Sequence, residues 1–116
     1  MHVLLDECLP ARFARELSGH EVKTVPQAGW AGIKNGRLLN LIAESGRFEA
    51  FVTVDKNLRY QQNLRGIPFG IAVLRARSNN LAHVRAFAPE LLRRLPLLRP
   101  GDVIVLLPPR AASDRA

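Results

Sequence analysis

An α/β domain built on a mainly parallel sheet is predicted for this 116-residue chain. Short apolar runs alternate with helix-length amphipathic segments, and most of those runs are nearly continuous in apolar residues. Strands buried on both faces have that texture, and strands alternating with helices imply parallel pairing through crossovers. Hydrophobic residues make up 47% of the chain, enough for one core and not two.

Taken in order, Val3–Leu5 is the first strand, and Val22–Val25, Phe51–Val54, Ile71–Leu74 and Val103–Leu107 are the next four. Helical character falls in Pro10–Ser18, Asn35–Ser45, Leu58–Leu64 and Leu81–Leu95. Pro10 suits a first helical position, and Gly19 and Gly46 suit helix ends. Pro89 lacks the N–H that a helix interior needs, so the last segment is expected to kink or restart there. Residues 1–107 form the domain, and the tail 108–116 has little to bury and is expected to fray. There is no repeat and no linker.

Several classes are excluded at once. One cysteine permits neither a disulfide framework nor a multi-cysteine zinc site. No apolar run reaches the ~20 residues of a membrane span, and the opening residues do not form a secretion signal, so a soluble, cytoplasmic protein is expected. The net charge of +7 is unevenly placed. Residues 1–58 carry seven basic and seven acidic side chains, whereas residues 59–116 carry ten arginines against Glu90, Asp102 and Asp114. Arginine's planar fork suits phosphate, so a nucleic-acid partner is one reading of this excess. A genome that favours arginine codons is the other.

In an open parallel sheet, ligands bind beyond the carboxyl ends of the strands, where the strand order reverses. Asp6 and Glu7 directly follow the first strand and Asp55 directly follows the third, the two strands expected to flank that point. Glu16, Glu44 and Asp102 belong by position to the opposite edge. Convergent carboxylates repel one another unless a cation lies between them, and hard oxygen ligands select Mg²⁺ or Mn²⁺ over zinc. Asp6, Asp55 and Glu7 are therefore the candidate metal-holding and catalytic residues. Candidates for the phosphate grip are Arg12, Lys34, Arg37, Lys56, Asn57, Arg59, Tyr60, Arg75, Arg77, Ser78 and Asn79. Around Arg59 and Tyr60, basic, amide and aromatic groups alternate, a mixture that suits single-stranded RNA. Trp30 is read as local packing, Cys8 as a small buried apolar residue, and the three histidines are assigned no role.

The segment Val3-Leu4-Leu5-Asp6-Glu7-Cys8-Leu9-Pro10 resembles the opening of the short, standalone PIN-like proteins, relatives of VapC-type toxin ribonucleases. Gly29-Trp30-Ala31-Gly32-Ile33-Lys34-Asn35-Gly36, Phe51-Val52-Thr53-Val54-Asp55-Lys56-Asn57, Tyr60-Gln61-Gln62-Asn63-Leu64 and Val73-Leu74-Arg75-Ala76-Arg77-Ser78-Asn79 fit the same branch. The resemblance implies a three-layer PIN-like fold, with a central, mostly parallel sheet of about five strands flanked by helices. It also implies Mg²⁺- or Mn²⁺-dependent endoribonuclease activity, as the toxin of a bacterial toxin–antitoxin pair. On that analogy Asp6 and Asp55 hold the metal and position its water, with Glu7 assisting. The implied partners are RNA, a cognate antitoxin and a second copy in a homodimer. The chain departs from the family pattern where it reads Asn35-Gly36-Arg37, because members carry an acid near the start of the second helix. Arg37 in that place would weaken metal binding and leaves an inactive RNA- or protein-binding module as the alternative. A phosphoacceptor receiver is a further alternative, but it requires a hydroxyl residue after the fourth strand and a lysine after the fifth. Arg75 and Pro108 stand near those places instead.

Overall fold

The computed structural model describes residues 1–58, 64 and 66–109, except the side chain of Asn35. Five strands form one sheet: β1 (His2–Leu5), β2 (Glu21–Thr24), β3 (Ala50–Thr53), β4 (Gly70–Leu74) and β5 (Val103–Leu106). Their order is β2-β1-β3-β4-β5, and every neighbouring pair is parallel. The strand order reverses between β1 and β3, as expected from the placement of the acids.

Residue alternation along the strands divides the core into two layers, which confirms the three-layer α/β architecture. Val3, Leu5, Ala50, Val52, Ala72 and Leu74 face one layer, where Phe13, Leu17, Val84, Phe87, Leu91 and Leu95 cover them. Leu4, Phe51, Ile71 and Val73 face the other, under Leu38, Leu39, Ile42 and Phe48. Side chains two apart share a face of a strand, so a strand with helices on both sides must be apolar throughout. β3 and β4 are buried at every position. The edge strands differ. β2 carries exposed Glu21 and Lys23, and β5 is only half-buried at Val103, Ile104 and Val105, not buried on both faces as its apolar run suggests.

The helices depart from expectation in instructive ways. The segment after β1 is a 3₁₀ helix, Ala11–Glu16, rather than an α-helix over Pro10–Ser18. Pro10 lies just outside it with extended backbone, and no side chain caps its first turn. Such short, tight turns need only anchor their apolar side, here Phe13 and Leu17. α1 (Asn35–Ser45) has the predicted limits and ends on Gly46, whose φ of 62° is the left-handed conformation that terminates a helix. The long segment after β4 does restart at Pro89. α2 (Leu81–Arg85) begins with the Asn80 side chain accepting the Ala82 N–H at 2.9 Å, and α3 (Ala88–Arg94) carries Pro89 in its first turn. A second 3₁₀ turn, Leu95–Leu97, follows. Leu58 has helical backbone, but most of the predicted helix Leu58–Leu64 and of the tail lies outside the described residues. Among the described residues no helix is long and apolar enough to cross a membrane.

Candidate functional site

Parallel pairing of β1 with β3 brings Asp6 and Asp55 to one edge. The ladder continues past the strand end, because the Asp6 N–H donates to the Val52 carbonyl at 2.9 Å. Beside it stands Thr53, fully buried as the last residue of β3. Its hydroxyl donates to Asp6 Oδ2 at 2.6 Å and accepts the Asp55 N–H at 3.0 Å. One side chain therefore fixes the carboxylate of the first acid and the backbone of the second. Asp6 Oδ1 accepts the Glu7 N–H at 2.8 Å, and Asp55 Oδ1 accepts the Asn57 N–H at 3.0 Å. Sequence reading passed over Thr53; the available signal was a lone hydroxyl in an otherwise apolar strand, two residues before an aspartate.

Glu7 is committed to a different contact. Its Oε1 accepts the Gly32 N–H at 2.9 Å, tying the strand end to the loop before α1. Gly32 has a φ of 81°, a conformation that L side chains rarely adopt. Among the described residues no group of three or more His, Cys, Asp or Glu side chains is arranged to hold one metal ion. The donor set that remains is the pair Asp6 and Asp55. Two hard carboxylates with water in the other positions are how Mg²⁺ is commonly held, so the donor chemistry fits such an ion without a third protein ligand.

These acids line a cavity of about 510 Å³ together with Glu7, Cys8, Gly32, Lys34 and six apolar residues, Ile33, Leu38, Leu39, Phe51, Val54 and Leu58. The apolar members are buried or half-buried and the charged ones half-buried or exposed, which makes an apolar floor beneath a charged mouth. Cys8 is not the buried residue expected: it is exposed as a whole. It lies in the turn that leaves β1, where the chain has reached the sheet edge. Partial enclosure of its thiol, reinforced by the Asp6 carboxylate, pushes the thiol pKa up. A thiol so disposed stays protonated and is a poor nucleophile at neutral pH.

The candidate phosphate-binding residues scatter more widely. Lys34 lines the cavity, immediately before α1. Arg37 is exposed in the first turn of α1 and is not among the lining residues. Lys56 and Asn57 are exposed just past Asp55, and Arg75 and Arg77 just past β4. Arg12 is exposed on the 3₁₀ helix. Asn79 reaches back to the site loop, its Nδ2 donating to the Cys8 carbonyl at 3.1 Å. Ser78 Oγ lies 2.8 Å from His83 Nδ1 and accepts the Asn80 N–H at 3.0 Å, which places it in the turn before α2. Arg59 and Tyr60 lie outside the described residues. Trp30 packs edge-on against Phe48 with ring centroids 6.1 Å apart, and the Arg47 guanidinium stands 5.8 Å from its ring, consistent with local packing.

At the opposite edge Asp102 precedes β5, where its Oδ2 accepts the Arg99 N–H at 2.9 Å. Glu16 faces Arg85 Nε at 3.6 Å. The positions following β4 and β5 are Arg75 and Leu107, so the hydroxyl and lysine of a phosphoacceptor site are missing there. Comparison of the chain with protein-family models, curated proteins and solved structures gives no match.

Proposed function

We propose that the chain is a metal-dependent ribonuclease whose site is the edge formed by Asp6, Thr53 and Asp55. The observation that carries this reading is the shared Thr53 hydroxyl, which holds two carboxylate-bearing segments together at the strand-order switch point. Asp6 and Asp55 would hold Mg²⁺ or Mn²⁺. Such an ion, when bound, makes a nucleophile of its water at neutral pH and offsets charge on a phosphodiester. Thr53 orients the Asp6 carboxylate before any ligand arrives, so less ordering remains at binding. Glu7 holds the Gly32 loop at the mouth, while Lys34, Arg75 and Arg77 provide positive charge that draws in a polyanion. The resemblance to PIN-like proteins extends this reading to a cytoplasmic toxin restrained by an antitoxin.

The test is incubation of the purified chain with unstructured RNA and Mn²⁺, beside an EDTA control and Asp55→Asn. Cleavage that disappears in both controls supports the reading. Cleavage that survives both removes the carboxylate–metal mechanism. Salt-sensitive RNA binding without any cleavage replaces it with a binding module.

A further inference from the structure

We infer that the outer edge of β5 is a docking strand for a second copy of this chain, paired antiparallel about a two-fold axis at Val105. The β4–β5 ladder shows which backbone groups are available. Asp102 and Leu106 turn their carbonyls towards β4, where they accept the Ile71 N–H at 2.8 Å and the Arg75 N–H at 2.9 Å. Alternation along the strand sets Ile104 on that side with them. The N–H and C=O groups of Val103, Val105 and Leu107 therefore point away from the sheet, and among the described residues nothing pairs with them. Such an edge is a template for another strand unless charge, proline or a bulge blunts it. β2, the opposite edge, carries exposed Glu21 and Lys23. β5 carries neither charge nor proline. Its Val103, Ile104 and Val105 are half-buried, and Leu107, just past its end, is 66% exposed.

The spacing of this edge makes it complementary to itself. In antiparallel pairing centred on Val105, that residue faces its own counterpart, and Val103 faces the partner's Leu107. Every outward N–H then meets an outward C=O, because residues opposed in this way exchange both bonds. Ile104 falls opposite the partner's Leu106 in the intervening pairs, so apolar side chains meet on both faces and no like charges are opposed. Pro108, with no N–H to give, follows the last paired residue and limits the run. Because both copies use the same strand, the symmetry closes the assembly at a dimer. Edge pairing of this length is at the small end of protein interfaces, so the dimer forms with rising concentration and is not obligate. The contact is independent of the ribonuclease reading, since Asp6 and Asp55 follow β1 and β3 and β4 lies between them and β5.

The experiment is sedimentation velocity of the full chain from about 10 μM to about 1 mM, with amide hydrogen exchange at both ends of that range. The sedimentation coefficient is expected to rise from monomer to dimer. The Val103, Val105 and Leu107 amides are expected to exchange freely in dilute chain and slow at high concentration, while Ile104 and Leu106 stay protected throughout. Val105→Pro removes the central outward N–H and leaves the bonds to β4 in place, a position where an edge strand tolerates proline. Leu107→Lys puts a charge at an exposed position and should leave the urea midpoint unchanged. Each variant is expected to weaken association at least about tenfold. A chain that stays monomeric up to about 1 mM would overturn the inference. So would a dimer indifferent to Leu107→Lys, or protection of the three outward amides that is already present in dilute chain.

Discussion

Replacing Thr53 by valine keeps the shape of a fully buried side chain while deleting both of its hydrogen bonds. The bond to Asp6 is charge-assisted and short, in the class that contributes about 1.5–3 kcal/mol; the bond from the Asp55 N–H belongs to the neutral class of about 0.5–1.5 kcal/mol. Thr53→Val should therefore destabilise the protein by about 3 kcal/mol, equivalent to roughly 12–18 °C in Tm for a domain of this size. Urea unfolding of wild type, Thr53→Val, Asp6→Ala and the double variant measures this directly. The coupling energy in that cycle should be about 1.5–3 kcal/mol. Thr53→Ser, which retains the hydroxyl, should lose only the buried methyl, about 1 kcal/mol. Any Mn²⁺-dependent cleavage should fall about 10–100-fold in the valine variant, the usual cost of losing a residue that orients a metal ligand. A valine variant within about 0.5 kcal/mol of wild type, or additive single effects, would refute the claim that Thr53 joins the two segments.

Three further outcomes follow from local geometry. A Cβ at Gly70 would fall against the Leu98 side chain and 3.0 Å from the Arg99 carbonyl, so Gly70→Ala should cost about 1–3 kcal/mol in chemical denaturation. Leu98→Ala in the same chain should relieve part of that cost. Glu7→Ala should release the Gly32 amide, seen as faster hydrogen exchange there with little change at Val3 or Leu5, whereas Glu7→Gln should retain protection. Burial, and then the nearby Met1 ammonium, lower the His20 pKa, so the unfolded chain takes up that proton more readily than the folded one. Stability should accordingly decline as pH falls through roughly 6.5 and level off below the folded value, and His20→Gln should lack that component in Tm measured from pH 7.5 down to about 5.

How much of this was legible depended on what each residue's surroundings demand of it. β1, β3 and β4 stand out because central strands covered on both faces must be apolar at every position. β2 lies one residue earlier than expected, since an edge strand tolerates Glu21 and Lys23 and its pattern blurs. Leu9, Phe13 and Leu17, four residues apart, have the spacing of an α-helical face, so the tighter 3₁₀ turn that forms between Leu9 and Leu17 does not show in the pattern. Asp6 and Asp55 were visible from strand ends alone, because parallel order decides which ends meet. Thr53 was not, because threonine is at home in any strand and its partner is 47 residues away. The cavity was hidden for a related reason: Leu38 and Leu39 are buried and read as core residues whether or not a void lies beside them.

The two covering layers also have unequal fates under mutation. The layer containing Phe13, Leu17, Val84, Phe87, Leu91 and Leu95 touches the sheet on the side away from α1, and none of these residues lines the cavity. The layer under α1 shares Leu38, Leu39, Phe51 and Leu58 with it. A deep substitution scan should therefore separate into two populations. In the first layer, growth or activity should track folding stability alone, and compensating stabilisers elsewhere should rescue losses. In the second, ligand preference should drift even in variants that melt normally. Evolution of a new specificity has one side of the sheet to work on, while the other side keeps the domain folded as it does so.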